Sequence, residues 1–494
     1  MTSLHKFCFG LFISLLLLSQ ITVGQQLSGW KNDSTQIRTK HIKIDFAKAS
    51  QLKSMINVLR TRSGLQAADT LKEATVVSEI IRIPVNNVAP FLAVGSRLVF
   101  SQPGNTFKGV RLEIRHSTNT QEWTGWQVII KDDHLTTSRD MLVGTLQYLP
   151  KERRFVQVRV SLEPSGEGQK LQMYALDLSF TSPGATPTEQ LQKIRQKTAG
   201  RGESSAQAKG DYPMPEYVTR TEWDCPDGQE PSGPVSLTTV THQIVHHSAG
   251  TNSSSDWPAV VRSIWDYHVN TNGWSDIGYN WLVDPNGVIY QGRGWVNGDD
   301  EVQGAHFCGT NSNTMGVCVM GNFEEVSPTS DAQASLEELL AWKSDENNID
   351  PTARQYHSSS GVDLYTISGH RDGCSTLCPG ENLYVRLSQI RQNVNAKIGE
   401  LPDGNGEKNI VVEKNYPNPF SESTTITFTP DRPGMVRITI WDVAGRMVEE
   451  LTDAFYEAET HSETWNASNH AAGTYFYQVT FEGKAMVQKM VLIK

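Results

Sequence analysis

The sequence predicts a multidomain protein with an N-terminal β-sandwich, a central α/β domain in which helices flank a mixed sheet, and a C-terminal Ig-like β-sandwich. The 494 residues exceed the roughly 250–300 residues at which single hydrophobic cores stop growing. Residues 183–211 and 401–410 are polar and poor in large apolar groups, which predicts linkers. Strand-like alternation of apolar and polar residues dominates before the first linker and after the second. Helical and strand patterns alternate in the segment between the two linkers.

The N-terminal segment, residues 25–182, carries the clearest two-residue periodicity. Val156, Val158 and Val160 alternate with polar neighbours, as expected of a strand with one buried face. We find no constellation of catalytic residues here, so we predict an accessory or spacer domain that holds a carbohydrate or the flank of the central domain. Strands are predicted at 75–84, 91–100, 109–115, 155–162 and 171–180.

The first 24 residues have the layout of a signal peptide. Lys6 precedes an apolar stretch from Phe7 to Leu18, and small residues follow near Gly24. A buried N-terminal helix is the alternative, but the short basic lead and the polar residues from Gln25 onward favour export. We therefore predict a secreted or cell-surface protein.

Composition and charge exclude several classes of partner. Apolar residues make up 38% and charged residues 20% of the chain, which is typical of soluble globular domains. The net charge of -10 opposes binding to nucleic acid, whose phosphates attract basic proteins. Beyond the N-terminus no apolar run reaches the roughly 18–20 residues that span a bilayer, so the mature protein is predicted to have no membrane span.

The central segment, residues 212–400, alternates strands and helices, as α/β or α+β domains do. Asn286-Gly287 lies between two apolar runs and predicts a hairpin. Pro258 follows Asp256 and predicts a helix start. The predicted elements are strands at 243–245 and 314–320, hairpin strands at 280–283 and 288–291, and helices from 255 or 256, at 331–343 with Ser330 as cap, and at 381–398.

A loop at residues 367–380 combines histidine and cysteine in the way that zinc sites do. His370, Cys374 and Cys378 offer imidazole nitrogen and thiolate sulfur, and catalytic zinc keeps three such ligands with water in the fourth place. A further histidine is available at the end of the first predicted strand, where His246 and His247 are adjacent. A residue that leaves a sheet edge can meet a distant loop in space.

Four short motifs occur in an order that resembles the peptidoglycan recognition protein and type 2 N-acetylmuramoyl-L-alanine amidase family. The resemblance covers roughly Pro215 to Ile398, and each motif alone is weak. The motifs are Val245-His246-His247-Ser248-Ala249, Tyr290-Gln291-Gly292-Arg293-Gly294-Trp295, Gly304-Ala305-His306, and Gly369-His370-Arg371 followed by Cys378-Pro379-Gly380.

The resemblance implies a Zn²⁺ cofactor bound by His246, His370 and Cys378, with packed or disulfide-bonded residues as the alternative. It also implies a catalytic role for Tyr279, which as a bare residue is more often a core residue. At the second catalytic position the family carries Lys or Thr, and this chain has Thr376. We predict that Thr376 is a supporting hydrogen-bond donor, the alternative being a loop cap, and the proton carrier stays open.

The implied reaction is hydrolysis of the amide that joins N-acetylmuramic acid to L-alanine in peptidoglycan. The alternative is a recognition protein that binds peptidoglycan without cutting it, but such members typically lose the cysteine ligand, which this chain keeps. A zinc peptidase of another fold lacks any His-Glu-x-x-His run.

The family also suggests residues of the glycopeptide groove. Arg293 and His306 are implied to line it, although a surface arginine and a core histidine are equally plausible. His247 and His268 lie close to the motifs, and we predict structural roles for both.

The remaining cysteines predict disulfides. Cys225, Cys308, Cys318 and Cys374 form an even set in an exported protein, which predicts two bridges with three possible pairings. A competing interpretation places Cys374 at the metal, but the interval from His370 matches the family only for Cys378.

The C-terminal segment, residues 411–494, resembles the sorting domain of the type IX secretion system. Asn415-Tyr416-Pro417-Asn418-Pro419-Phe420 opens it, and Gly473-Thr474-Tyr475 begins a later strand. The resemblance implies passage across an outer membrane by the type IX machinery. A carbohydrate-binding sandwich is the alternative.

Overall fold

The computed structural model describes most of the chain, which divides into two compact units, residues 1–399 and 400–494. The predicted signal peptide, Trp295 and the second predicted linker up to residue 409 lie outside the described residues. No helix within the described parts is long and apolar enough to cross a membrane. Those parts are residues 37–86, 89–101, 109–132, 141–164, 172–197, 212–229, 235–293, 302–399, 410–430, 433–481 and 484–494.

The first unit begins with two six-stranded sheets. One has the order β10-β7-β12-β4-β3 with β1 beside β12, and the other β2-β5-β11-β8-β9 with β6 beside β11. The strands are β1 (Arg38–Asp45), β2 (Leu52–Ile56), β3 (Val58–Arg60), β4 (Leu65–Ala67), β5 (Ala74–Ser78), β6 (Ile81–Arg82), β7 (Phe91–Ser101), β8 (Val110–Ser117), β9 (Gln127–Ile129), β10 (Met141–Pro150), β11 (Phe155–Leu162) and β12 (Gln172–Ser182).

The predicted alternation places the core between these sheets. Val156, Val158 and Val160 of β11 are buried, and Ile114 of β8 pairs with Val158 across the ladder. Their side chains belong to one hydrophobic cluster with residues of the other sheet, such as Phe180 of β12. Inward-facing β-branched and aromatic side chains therefore hold the two sheets together.

The predicted linker at 183–211 differs from the structure in its first half. Helix α1 (Thr188–Gln196) lies within it, and residues 198–211 are outside the described residues. The segment has few large apolar groups, but Ile194 is 3% exposed and joins the core that surrounds Trp223. A single well-buried isoleucine, together with the hydrogen bond that Arg195 Nη2 donates to Ser255 O at 3.0 Å, orders a segment whose composition alone predicts a linker.

The central sheet has the order β15-β14-β16-β13-β19. β13 pairs in parallel with β16 and β19, and β14 pairs in parallel with β16, while β14 and β15 form the predicted antiparallel hairpin. The elements are β13 (His242–His247), α2 (Trp257–Asp266) with a π-turn at Tyr267–Thr271, β14 (Trp281–Val283), β15 (Ile289–Gln291), β16 (Thr314–Val319), α3 (Ser330–Glu346), β17 (Arg354–His357), β18 (Val362–Tyr365), β19 (Ile367–Gly369), α4 (Glu381–Tyr384) and α5 (Leu387–Gly399).

Helix boundaries follow side-chain capping. The Asp256 carboxylate accepts a hydrogen bond from Ala259 N at 3.0 Å, which starts α2 with a proline in its first turn, as predicted. The cap of α3 is Thr329, one residue before the predicted Ser330, and its hydroxyl accepts from Ala332 N at 3.1 Å. The predicted last helix is two helices, because Arg386 N donates to Leu383 O and tightens the end of α4.

The second unit consists of two smaller sheets, β20-β21-β24 and β23-β22-β25-β26. Buried residues of both, including Ile426 and Val479, form one hydrophobic cluster around Trp465. The strands are β20 (Ile410–Val412), β21 (Ser423–Pro430), β22 (Gly434–Asp442), β23 (Met447–Tyr456), β24 (His461–Asn466), β25 (Gly473–Phe481) and β26 (Lys484–Leu492).

Candidate metal centre and active site

Two histidines meet because their strands are parallel neighbours. Val245 of β13 and Gly369 of β19 are register partners, so His246 and His370 follow at the same level of the sheet. Both are 0% exposed, and their ring centroids are 4.5 Å apart. In open α/β sheets, sites form at the carboxyl ends of adjacent parallel strands, and this pair lies at such an end.

The loop after His370 returns Cys378 to the same place. Arg371 N donates to Cys378 O at 2.9 Å and closes the loop at its base. The backbone N–H of His247 donates to Cys378 Sγ at 3.4 Å, which favours negative charge on the sulfur. Cys378 Sγ lies 3.7 Å from His246 Nδ1. The loop thus carries the thiol to the end of β13.

These three side chains fit a tetrahedral zinc ion. The ligand atoms of His246, His370 and Cys378 all lie within 4.8 Å of one another. Zinc–nitrogen and zinc–sulfur bonds at tetrahedral angles predict a nitrogen–sulfur distance of about 3.6 Å, close to the one seen. A second group in the described residues, Cys308 with His370 and Cys374, meets the same distance limit, but its two cysteines form a disulfide.

A chain of hydrogen bonds behind His246 determines its tautomer. The Thr314 hydroxyl donates to Asn311 O at 2.7 Å, so its oxygen accepts from His306 Nε2 at 3.2 Å. His306 Nδ1 then accepts from His246 Nε2 at 3.0 Å. This arrangement leaves the lone pair of His246 Nδ1 directed to the cation site, as partners behind a metal-binding histidine commonly do.

Tyr279 lies beside the predicted ligands with a protonated hydroxyl. Its ring centroid is 5.4 Å from that of His246, and the side chain is 4% exposed. Burial raises the pKa of Tyr279 well above its ordinary value, and nearby sulfur groups of Cys318 and Cys378 raise it further. The phenol therefore stays a hydrogen-bond donor at neutral pH, and it pairs with the Cys318 thiol.

Thr376 is half-buried and lies on the same loop as Cys378. Its hydroxyl oxygen accepts from Cys378 N at 3.0 Å, so it caps the turn that presents the cysteine. The residue also lines the cavity next to Tyr279. A hydroxyl that accepts from the backbone keeps its own proton to donate, so both predicted roles are compatible with this position.

The two predicted groove residues are used in packing. The Arg293 guanidinium donates to Ile277 O at 2.8 Å and to Asp276 O at 3.1 Å, which supports the segment before Tyr279. His306 is 1% exposed and contacts His246 instead of lining the cavity. The motifs of Arg293 and His306 resemble those of the family. The direction in which these two side chains point depends on the fold of the surrounding loops.

The other predicted structural residues lie close by. His247 Nδ1 accepts from Phe323 N at 3.2 Å, and His268 Nδ1 accepts from Gly278 N at 3.0 Å.

The disulfide joins Cys308 to Cys374. The second predicted bridge does not form, because Cys225 and Cys318 are separately buried as free thiols. An even number of cysteines limits how many disulfides are possible, but it does not show which cysteines lie close enough to pair.

A cavity of about 520 Å³ opens over Cys378, Tyr279 and Thr376. Its volume suits a small ligand or part of a larger one. One side of it comes from the N-terminal sheets, and the sequence pattern of those strands gave no indication of this. The N-terminal residues that line it are Ile130, Lys131, Asp132, Thr145, Leu146 and Tyr148.

Comparison with known proteins decides the family. Residues 236–381 match the family model described as N-acetylmuramoyl-L-alanine amidase. Peptidoglycan-recognition protein SC2 of Drosophila simulans is 31% identical over 173 residues, which are 34% of this chain and 83% of that protein. The chain belongs to the peptidoglycan recognition protein and type 2 amidase family. Residues 414–494 match the secretion system C-terminal sorting domain, as the sequence predicts.

Other known proteins are similar to about the same share of this chain. Human peptidoglycan recognition protein 3 is 30% identical over 35% of this chain and 46% of its own length. The solved structure of Drosophila PGRP-LB is 26% identical, covers 35% of this chain and 92% of that chain, and gives a TM-score of 0.29. The amidase LysC from Clostridium intestinale is 25% identical over 33% of this chain and 92% of its own, with a TM-score of 0.27.

Proposed function

We propose that this protein is a secreted zinc-dependent N-acetylmuramoyl-L-alanine amidase that cuts the amide between N-acetylmuramic acid and L-alanine in peptidoglycan. The observation that carries the proposal is the convergence of His246, His370 and Cys378, the last of which lines the cavity. Family membership supports amidase chemistry, and the complete ligand set favours catalysis over binding alone.

Each of these residues has a defined task in the proposed reaction. His246, His370 and Cys378 would hold zinc, which when bound polarises the scissile carbonyl and activates water. Tyr279 would donate a hydrogen bond to the oxygen on which negative charge develops, because its raised pKa keeps the phenol protonated. Thr376 would position the cysteine and add a second donor.

Release of stem peptide from muropeptides tests the proposal directly. We expect the purified full chain to liberate peptide that begins with L-alanine, to lose this activity with a chelator and to regain it with zinc. Mass spectrometry of the products identifies the new N-terminus. Binding of muropeptides without release would support the recognition alternative, and release that persists after complete metal removal would contradict the zinc mechanism.

Tyr279→Phe is expected to lower kcat about 10²- to 10³-fold, as loss of one oxyanion donor does. The variant keeps the ring packing beside His246, so zinc content and KM are expected to stay close to wild type. Steady-state kinetics with metal analysis check this. An unchanged kcat would remove Tyr279 from the reaction and leave it the role of a core residue.

His306 is expected to tune metal affinity through the tautomer of His246. His306→Leu removes the nitrogen that accepts from His246 Nε2, and we expect zinc affinity to fall about 10- to 100-fold. His306→Asn is smaller but can place an amide oxygen near the position of His306 Nδ1, so it is expected to recover much of the affinity. Competition with a fluorescent chelator measures both. Equal affinities in the two variants would contradict the hydrogen-bond chain.

Export follows from both ends of the chain under this proposal. We infer a signal peptide at residues 1–24 and recognition of the C-terminal unit by the type IX machinery, which the match over residues 414–494 supports. We also propose that the N-terminal sheets form a β-sandwich domain and that the C-terminal unit is an Ig-like β-sandwich, as the sequence predicts. The protein would then meet peptidoglycan outside the cytoplasm.

A further inference from the structure

A second group of metal-binding side chains lies beside the candidate zinc ligands. The ligand atoms of Cys308, His370 and Cys374 all lie within 4.8 Å of one another. Cys308 Sγ is 3.4 Å from His370 Nε2, close to the nitrogen–sulfur distance of about 3.6 Å that tetrahedral zinc requires. His370 therefore belongs to two candidate ligand sets, the proposed catalytic one and a set with two sulfurs.

The two sulfurs of the second set are bonded to each other as a disulfide that solvent can reach. Cys308 and Cys374 are half-buried, whereas Cys378 is 5% exposed. Disulfides are opened by thiols or phosphines that have access to a sulfur atom. Thiols stay reduced in the cytoplasm and form disulfides outside it. Under the proposed export, the cysteine pair therefore passes from the reduced to the oxidised state.

Backbone hydrogen bonds hold both cysteines near His370 independently of the sulfur–sulfur bond. Cys374 N donates to His370 O at 3.2 Å, so the turn after β19 keeps these two residues together. Thr310 N donates to Phe307 O at 2.8 Å and closes the turn that carries Cys308. Tetrahedral zinc needs two sulfurs about 3.8 Å apart, so after reduction they must separate by less than about 2 Å.

We propose that the reduced chain binds zinc through Cys308, Cys374 and His370, and that this second metal site keeps the amidase inactive until the disulfide forms. A neutral imidazole binds a metal through one nitrogen and carries its proton on the other, so His370 serves one site at a time. Two thiolates neutralise the charge of Zn²⁺, whereas the catalytic set has only one, and this difference favours the second site. The loss of activity rests on the proposed amidase function, but the second metal site does not.

The redox step is a two-electron exchange. On oxidation, the Cys308 and Cys374 thiols lose two protons and two electrons to the disulfide of an exchange partner, which leaves as two thiols. The zinc ion then loses two of its ligands, and His370 becomes available to the catalytic set. In the reverse direction a phosphine breaks the sulfur–sulfur bond, takes up the oxygen of water and leaves two thiols.

Zinc X-ray absorption of the full-length protein tests the second site, because it counts the sulfur atoms bound to the ion. With one equivalent of zinc we expect one sulfur neighbour in the oxidised protein, from Cys378, and two after reduction with a phosphine. Amidase activity is expected to fall at least about tenfold on reduction and to return on reoxidation, as for two exclusive sites of unequal affinity. Thiol titration confirms the release of two thiols. If the folded chain resists reduction, it is instead folded with zinc and the phosphine present.

The double variant Cys308→Ser, Cys374→Ser separates metal capture from loss of the cross-link. It has neither the disulfide nor the two extra thiolates, so we expect one sulfur neighbour and the same activity with and without phosphine. Equal sulfur counts in oxidised and reduced wild type would overturn the inference, and so would a folded double variant as inactive as reduced wild type. A change from one to two sulfurs in a wild type that cuts nothing would sustain the second site while the amidase proposal fails.

Discussion

Cys378→Ser is expected to abolish both zinc binding and amide hydrolysis. Serine is nearly isosteric, but its hydroxyl is a far weaker zinc ligand than a thiolate at neutral pH. The side chain is 5% exposed and receives the His247 N–H, so the change leaves the loop packing intact. We expect metal content near zero and a loss of at least about 10³-fold in kcat/KM, about 4 kcal/mol of transition-state stabilisation.

Cys225→Ser is the matched control for this variant. Cys225 is also a buried free cysteine, but it lines the core around Trp223 and not the cavity. Its substitution is expected to lower the free energy of unfolding while zinc stoichiometry stays at wild type. Metal analysis measures the zinc content of both variants. Full zinc content in Cys378→Ser would refute the assigned ligand set, whatever the residual activity.

A chain that begins at residue 212, the predicted start of the central domain, is expected to unfold or aggregate. Trp265 of α2 and Tyr267 of the π-turn after it are 4% and 3% exposed in the intact chain, and both would become exposed because their core cluster loses the N-terminal residues Phe91 and Val143. Arg262, which is 0% exposed, would lose its hydrogen bonds to Pro183 O and Gly184 O. Each orphaned buried group costs about 1–3 kcal/mol or more, and a few together approach the whole stability of a domain.

A chain that begins at residue 183 is the informative control. It keeps helix α1, Thr186 and the backbone acceptors of Arg262, and it loses only the contacts of the sheets. We expect its melting temperature to lie between those of the intact chain and the chain from residue 212. Circular dichroism and gel filtration compare the three proteins. A cooperative transition at the intact temperature for the shortest chain would show that the sheets are dispensable for folding.

Local patterns predicted much of the fold. Three elements form where the sequence pattern predicts them: strand β11, the Asn-Gly hairpin and the start of α2 at Pro258. Each depends on preferences of residues that are neighbours in the sequence. Residues 188–196 form a helix inside the segment predicted to be a linker, because composition does not register one well-placed isoleucine. The cap of α3 differed by one residue because Thr329 and Ser330 are chemically equivalent candidates.

The candidate zinc ligands were predicted from the sequence through the resemblance of four ordered motifs to the amidase family, and that resemblance needs no tertiary structure. The parallel register of β13 and β19, the use of His306 behind His246, and the pairing of Cys308 with Cys374 depended on the tertiary structure. The same is true of Asp132 at the edge of the cavity. These contacts join residues distant in sequence, and their geometry is set by packing between sheets and helices that no local periodicity encodes.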